Sequence, residues 1–213
     1  MHSRFVSRSL LILAAALVLS CHVSAATANF DSDRPGTPPA PWKVGVAGTG
    51  AGIWEIIAAQ DAPSKPNVLR QSGVATRTWC VKSDERIRDG FVEVQGKTIS
   101  GIRNRAIGVV FRFQDPKNYY MARASANERN VALHKVVDGS RKTVAHSSDD
   151  LLIPDGVWHT LRVEFSGTKS SVLLNGHVIF RVWDETFLAA GGVGLVTSSD
   201  SVTLFDNFVF GAL

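Results

Sequence analysis

The sequence predicts an all-β fold, an antiparallel jelly-roll β-sandwich. Short runs rich in β-branched and aromatic residues recur along the chain, separated by Gly, Pro, Asn or Asp turns. Nowhere does a helical period persist for three turns. The stretch from Gly108 to Lys142 also reads as consecutive hairpins. Many short strands joined by turns are typical of a sandwich.

The strands follow an irregular Pro- and Gly-rich loop over 31–41. In chain order they are predicted over 42–47, 53–59, 67–71, 75–81, 91–98, 107–114, 119–125, 130–137, 141–147, 158–166, 170–175, 177–183, 192–197 and 202–210. Asp138-Gly139 and Asn175-Gly176 favour two-residue hairpin loops. One helical turn is expected over 187–190.

The first hairpin of the Gly108–Lys142 stretch has two chemically different faces. Its turn is Asp115-Pro116-Lys117-Asn118, in which Pro presets φ. Pairing Gln114 with Tyr119 predicts a core face of Phe111, Phe113, Tyr120, Ala122 and Ala124, and an opposite face of Val110, Arg112, Gln114, Tyr119, Met121, Arg123 and Ser125. The next strand would add Val131 and Leu133 to the core face, and Asn130, Ala132 and His134 to the other. A polar patch of Arg112, Arg123, Asn130 and His134 follows.

The first 28 residues predict an exported protein. Arg4 and Arg8 precede an apolar run and small residues, which is the anatomy of a signal peptide, with cleavage after Ala25 or Ala28. Alternatively, Val18-Leu19-Ser20-Cys21 resembles a lipobox, which would place a lipid anchor on Cys21. We therefore expect a periplasmic or extracellular protein, soluble or anchored as a lipoprotein. No later segment is long and apolar enough for a transmembrane helix.

The length of the remaining chain, 29–213, suits one jelly-roll domain. The formal net charge of +4 includes Arg4 and Arg8, so it falls to +2 after cleavage, and nucleic acid is not an expected partner. Cys80 lies in an apolar setting and is expected to be a buried hydrophobe. The oligomeric state is left open.

Several motifs resemble one family of exported domains. They are Gly108–Asp115, Asn118–Ala124, Asn130–Leu133, Trp158–Val163, Leu174–Gly176 and Gly192–Leu195. They resemble bacterial concanavalin A-like (laminin G-like) jelly rolls, and within that group most resemble the 3-keto-disaccharide hydrolase domain family. The resemblance implies two packed, curved sheets with saccharide bound on the concave face or at a loop edge.

Candidate ligand-binding residues are of two kinds. Arg112, Arg123, Asn130 and His134 offer hydrogen-bonding groups suited to sugar hydroxyls or acidic groups. Tyr119 and Trp183, together with Trp42 and Trp54, could lie against pyranose rings, whereas Trp158 is expected in the core. The alternative is that Arg112 and Arg123 pair with acidic neighbours such as Glu93 on an ordinary sheet face.

Catalytic and metal sites have weaker signals. No Glu-x-Asp-x-x-Glu pattern of glycosidase carboxylates occurs, which leaves Glu128 and His134 as the candidate catalytic pair. His134 could relay a proton near neutral pH. A calcium ion could lie between Asp31 and Asp206 if the terminal segments are adjacent; turn capping by these residues is the alternative.

These observations support three functional hypotheses. The first is a noncatalytic, exported carbohydrate-binding domain. The second, suggested by the resemblance, is a hydrolase or lyase acting on glycosidic bonds of 3-keto disaccharides. The third is an envelope module that binds other proteins.

Overall fold

The computed structural model describes residues 25–147 and 150–213. Within them the chain forms only β-strands and irregular segments: β1 Ala25–Ala28, β2 Lys43–Gly50, β3 Trp54–Ala58, β4 Asn67–Gln71, β5 Ala75–Ile87, β6 Gly90–Ser100, β7 Ala106–Asp115, β8 Asn118–Ser125, β9 Asn130–Val137, β10 Ser140–His146, β11 His159–Ser166, β12 Lys169–Leu174, β13 His177–Trp183, β14 Gly191–Ser199 and β15 Val202–Ala212. No helix in the described ranges could therefore cross a membrane.

The described strands form two antiparallel sheets. The eight-stranded sheet has the order β13, β12, β11, β6, β15, β4, β3, and β1 pairs with β15. The seven-stranded sheet has the order β10, β9, β8, β7, β14, β5, β2. Their facing sides enclose the main apolar core, where the Phe111 ring stacks on Tyr120 and Phe165 at centroid distances of 5.2 and 4.8 Å. The predicted all-β sandwich is confirmed.

The predicted hairpin loops are also confirmed. Asp138 and Gly139 have φ of 49° and 83°, and Asn175 and Gly176 have φ of 50° and 80°. Two successive positive φ values are the geometry of the type I′ turn, which suits the twist of paired strands.

The helical turn expected over 187–190 is wrong, because its backbone groups bond to side chains of the neighbouring sheet. The Phe187 amide donates to Tyr120 Oη at 3.2 Å, and the Phe187 carbonyl accepts from Arg112 Nη1 at 2.7 Å. The Ala189 and Ala190 carbonyls accept from Gln114 Nε2. These contacts replace the local bonds of a helix.

The amino-terminal strand β1 pairs with Phe208–Gly211 of β15. Cleavage after Ala28 would remove this strand, whereas cleavage after Ala25 would leave most of it. The domain boundary and the site of processing stay predictions. The signal-peptide residues before Ala25, with the lipid-anchor candidate Cys21, lie outside the described residues.

Two tryptophans that were predicted from the sequence as sugar platforms lie inside the sandwich. Trp42 is 9% exposed and packs between Phe30 and Phe208. Trp54 is 3% exposed, and its Nε1 donates to Thr78 Oγ1 at 2.8 Å. Both rings belong to the main core between the sheets, so the prediction that they form sugar platforms is wrong.

A bulge in β7 changes the predicted register. Phe111 pairs with Tyr120 and Asp115 with Asn118, so the residues between them on β7 shift relative to β8. Arg112 takes a left-handed φ of 47° at this point, which breaks the alternation of side chains. Phe113 consequently lies on the face opposite Phe111, and the predicted faces are wrong for Arg112 and Phe113.

Candidate functional site

The side of the seven-stranded sheet that faces away from the eight-stranded sheet, here called the outer face, carries a second apolar cluster. It consists of Trp79, Val81, Val110, Phe113, Tyr119, Met121, Val136 and Val196, each at most 8% exposed. An ordinary solvated sheet face would leave such side chains open to water. Other side chains of the outer face must therefore cover this apolar cluster.

Strand pairing explains how Trp79 reaches the outer face. Gly45 of β2 lies directly opposite Trp79 of β5. A Cβ at Gly45 would lie 2.1 Å from Trp79 Cζ2, so only glycine lets the indole lie across β2. The ring then packs against Phe113 at a centroid distance of 5.1 Å.

Arg77 and Tyr119 converge over the centre of the outer face. They stand on β5 and β8, with β14 and β7 between them, which is roughly 14 Å across a flat sheet. The guanidinium carbon of Arg77 nevertheless lies 5.9 Å from the centroid of the Tyr119 ring. The long Arg77 side chain thus spans the strands between them and covers the Tyr119 ring.

His134 holds Arg123 in place. The Arg123 Nε–H donates to His134 Nε2 at 3.2 Å, and because arginine has no acceptor, Nε2 must be unprotonated. The ring proton is then on Nδ1, which donates to Thr143 Oγ1 at 3.2 Å. Burial, followed by the charges of Arg123 and Arg141, lowers the pKa of His134 to about 3. The imidazole is neutral near pH 7, so the predicted proton relay at that pH is wrong.

Glu128 completes this cluster as an ionised carboxylate. Its Oε2 accepts a hydrogen bond from Arg123 Nη2, and this bond lowers the pKa of Glu128. Asn130 Nδ2 donates to the same oxygen at 3.5 Å. A carboxylate held in this way is a poor general acid. Arg123, Asn130 and His134 therefore come together as predicted, with Glu128 as the acidic partner of Arg123.

Polar atoms without partners collect on the outer face. Tyr119 Oη, Trp79 Nε1, Arg77 Nε and Asn130 Oδ1 are buried and make no hydrogen bond. Leaving such a group unpaired costs about 1–3 kcal/mol, so each calls for a partner from water or a ligand. Other such atoms lie elsewhere among the described residues, on Arg70 and Asn104 for example, so these four make the outer face a candidate site.

Arg112 lies elsewhere, contrary to the predicted patch. It is 2% exposed and donates to the carbonyls of Arg88 and Phe187, at 3.0 and 2.7 Å, and to Asp89 Oδ1 at 3.2 Å. Its guanidinium stands over the core ring of Phe165. The bulge turns Arg112 toward the interior, where its hydrogen bonds link the segment at Arg88 and Asp89 to the segment at Phe187.

The alternative expectation, that Arg112 and Arg123 pair with acidic residues, is confirmed, but Glu93 is not the partner of either. Glu93 pairs with Arg162 at 3.3 Å, on the eight-stranded sheet. Arg123 pairs with Glu128, and Arg112 with Asp89.

Trp183 forms a separate feature at the edge of the sandwich. It is 65% exposed and lines a cavity of about 480 Å³ with Lys135, Thr168, Asp184, Glu185 and Thr186. Lys135 neighbours His134 on β9 but points to the opposite side, where it donates to Asp184 at 2.6 Å. The structure therefore does not bring Trp183 together with Tyr119.

Trp158 is only partly buried, against a small cluster of Ala62, Val68 and Leu204. Its Nε1 donates to the Asp61 carbonyl at 2.8 Å, and Lys97 stands over its ring. The prediction that Trp158 lies in the core is wrong, because the side chain covers this satellite cluster from outside and is absent from the main core.

Asp31 and Asp206 approach one another as the calcium hypothesis requires. The charge of Asp31 contributes, after burial, to a raised pKa of Asp206. However, Asp206 already accepts bonds from Ser64 and Asn207, and Asp31 Oδ1 accepts from the Asn67 amide. Among the described residues no cluster of three metal-ligating side chains occurs. The oxygens are occupied by capping bonds, and calcium stays a prediction.

Three residues of the outer face were not singled out from the sequence: Arg77, Trp79 and Arg141. Arg77 and Arg141 line a cavity of about 330 Å³ with Thr76, Ser198 and Ser199. A second cavity of about 260 Å³ borders Trp79 and Phe113. The alternation Arg77-Thr78-Trp79-Cys80-Val81 was a usable signal, because it places Trp79 opposite the buried Cys80.

The fold is shared with solved structures. The carbohydrate-binding module CBM66 from Bacillus subtilis superposes with a TM-score of 0.64 at 20% identity, covering 78% of this chain and 96% of that one. A putative glycosyl hydrolase from Parabacteroides distasonis has a TM-score of 0.55 at 15% identity, covering 84% and 91%. A β-glucanase from Bacillus licheniformis has a TM-score of 0.56 at 8% identity, covering 90% and 98%. This chain has a concanavalin A-like fold.

At these identities the likeness establishes the concanavalin A-like sandwich and nothing finer. No protein-family model matches the chain, and no curated protein matches it. The narrower resemblance to 3-keto-disaccharide hydrolase domains stays a prediction.

Proposed function

We propose that this protein is an exported, noncatalytic carbohydrate-binding domain whose site is the outer face of the seven-stranded sheet. The observation that carries the proposal is the set of buried, unpartnered polar atoms on Tyr119, Trp79 and Arg77. Saccharides present hydroxyls that can partner such atoms and apolar ring faces that pack on aromatic side chains. Proteins with similar folds, CBM66 and a β-glucanase, are named for carbohydrate binding or cleavage.

The chemistry of the face supports binding over hydrolysis. Two carboxyl groups of a glycosidase lie about 5–9.5 Å apart. The candidate catalytic pair, Glu128 and His134, supplies only one carboxyl group, so it offers no such spacing. Glu128 is held ionised by Arg123, and His134 is neutral. Neither the single carboxyl group nor these protonation states suit a paired acid and nucleophile.

Export follows from the signal-peptide pattern of residues 1–28 and belongs to the proposal. Fractionation of cells that produce the full chain tests it. Export predicts the protein in the periplasm or medium, or in the membrane fraction if Cys21 is lipidated. Retention in the cytoplasm would overturn this part.

The binding proposal is tested with a glycan array on the mature protein, with and without calcium, followed by calorimetric titration of the best ligand. Trp79→Phe removes the unpartnered Nε1–H and should weaken binding. Trp183→Phe is the matched control and should leave the affinity unchanged. Absence of binding to any saccharide, or sensitivity confined to Trp183→Phe, would refute the site.

An assay of the ligand after incubation separates binding from catalysis. The proposal predicts no release of reducing or keto sugar by the wild type. Product that appears with the wild type and disappears in Glu128→Gln would establish the enzyme hypothesis instead.

A further inference from the structure

The outer face has a surplus of positive charge. Arg77, Arg123 and Arg141 approach closely enough that Arg77 and Arg123 both contribute, after partial desolvation, to a lowered pKa of Arg141. Within the described ranges, Glu128 is the one carboxylate that forms an ion pair with any of these three, and its partner is Arg123. Arg77 and Arg141 form no ion pair with any carboxylate of the described residues.

Burial of the Arg77 guanidinium group is energetically unfavourable. It is 7% exposed, its Nε is buried without a hydrogen-bond partner, and its nearest aromatic contact is the Tyr119 ring. Burying a charge is unfavourable unless it is paired and hydrogen-bonded. A ring face supplies only part of that compensation.

The two unpaired arginines line the same space. Arg77 from β5 and Arg141 from β10 border the cavity of about 330 Å³, with Thr76, Ser198 and Ser199 completing its wall. β5 and β10 are separated by four strands in the sheet, so these side chains reach the cavity from opposite flanks. Two guanidinium groups with nearby hydroxyls suit the oxygens of a carboxylate or sulfate.

We infer that the saccharide bound at the outer face is acidic, and that its carboxylate or sulfate group is held between Arg77 and Arg141. This inference rests on the proposed carbohydrate-binding function and adds the class of ligand. An anion there would neutralise the charge surplus and provide acceptors for unpaired donors. The remainder of the sugar would lie in the cavity that borders Trp79 and Phe113.

The test compares three ligands by calorimetric titration: an oligogalacturonate, a neutral β-1,3-1,4-gluco-oligosaccharide of the same length, and inorganic sulfate. We expect the oligogalacturonate to bind tightest and to lose affinity as salt is added, because exposed charges are screened. Arg141→Gln should weaken it about tenfold to a hundredfold, the range for charged hydrogen bonds. Arg141 is exposed, so this variant should keep the wild-type melting temperature.

Lys142→Gln is the matched control, because it removes the same charge from the opposite face of β10. It should leave all three affinities unchanged. Equal binding of the acidic and neutral oligosaccharides, with no effect of Arg141→Gln, would overturn the inference while the carbohydrate-binding proposal stands. Sulfate binding as tightly as the oligogalacturonate would also overturn it, by showing an anion site without a saccharide. Failure of every saccharide would overturn both.

Discussion

At the scale of single residues, the outer face is built from side chains that hold one another in place. His134 accepts from Arg123, Arg123 donates to Glu128, and Thr143 fixes the imidazole tautomer. The histidine therefore acts as a fixed acceptor and has no role as an acid at neutral pH. Tyr119, in contrast, has a buried hydroxyl that makes no hydrogen bond with any residue the structure describes.

Replacing Tyr119 by Phe separates stability from binding. The variant removes a buried, unpartnered hydroxyl, so the melting temperature should stay the same or rise. If that hydroxyl bonds a sugar, saccharide affinity should fall by about tenfold, corresponding to ~1.4 kcal/mol. Thermal unfolding and calorimetric titration measure the two effects. A lower melting temperature with unchanged affinity would contradict the assigned role.

His134 should make folding stability depend on pH. Its pKa in the folded protein is about 3, below the value of ~6.5 in an unfolded chain. Between these values the unfolded chain binds the extra proton, so the stability is present above pH 6.5 and is lost as the pH falls toward 3, by at most about 1.4 kcal/mol per pH unit.

His134→Gln should flatten this dependence, because the amide can accept from Arg123 and donate to Thr143 without titrating. Urea unfolding at a series of pH values measures it. The exposed Val178→Ala, which changes no titratable group, is the control and should retain the wild-type slope. Identical slopes in all three proteins would show that His134 does not titrate as described.

At the scale of elements, strands and turns follow local chemistry closely enough to be predicted. The positive φ values at Asp138-Gly139 and Asn175-Gly176 are those that the residue types favour. The bulge in β7 was not predicted, because Arg112 carries no local signal for a left-handed φ. The contacts that stabilise the bulge come from Arg88, Asp89 and Phe187, which are distant in sequence.

Arg112 provides the test of that bulge. Arg112→Met keeps the aliphatic contact over Phe165 but removes hydrogen bonds to two partly buried carbonyl groups and to Asp89, so the free energy of unfolding should fall by about 2 kcal/mol. Saccharide affinity of the folded fraction should not change. Arg181→Met, at an exposed position, should affect neither quantity. Weakened binding with unchanged stability would restore the sequence-predicted register, in which Arg112 faces the ligand.

At the scale of the whole molecule, the sandwich was predictable and the site only in part. Arg123, Asn130 and His134 were found because they lie on adjacent strands of one meander. Arg77 and Arg141 were not, because strands far apart in the chain bring them to one cavity. A contact between strands that are far apart in the chain leaves no local pattern in the sequence.

The central claim is that saccharide binds the outer face, and the indole groups report on it directly. The chain has five tryptophans, and Nε1 of Trp54 and Trp158 is already bonded within the protein. In a titration with the best saccharide, followed by ¹⁵N–¹H spectra assigned with tryptophan variants, the Trp79 Nε1–H signal should shift while that of Trp183 stays in place. A moving Trp183 signal with a stationary Trp79 signal would contradict the account.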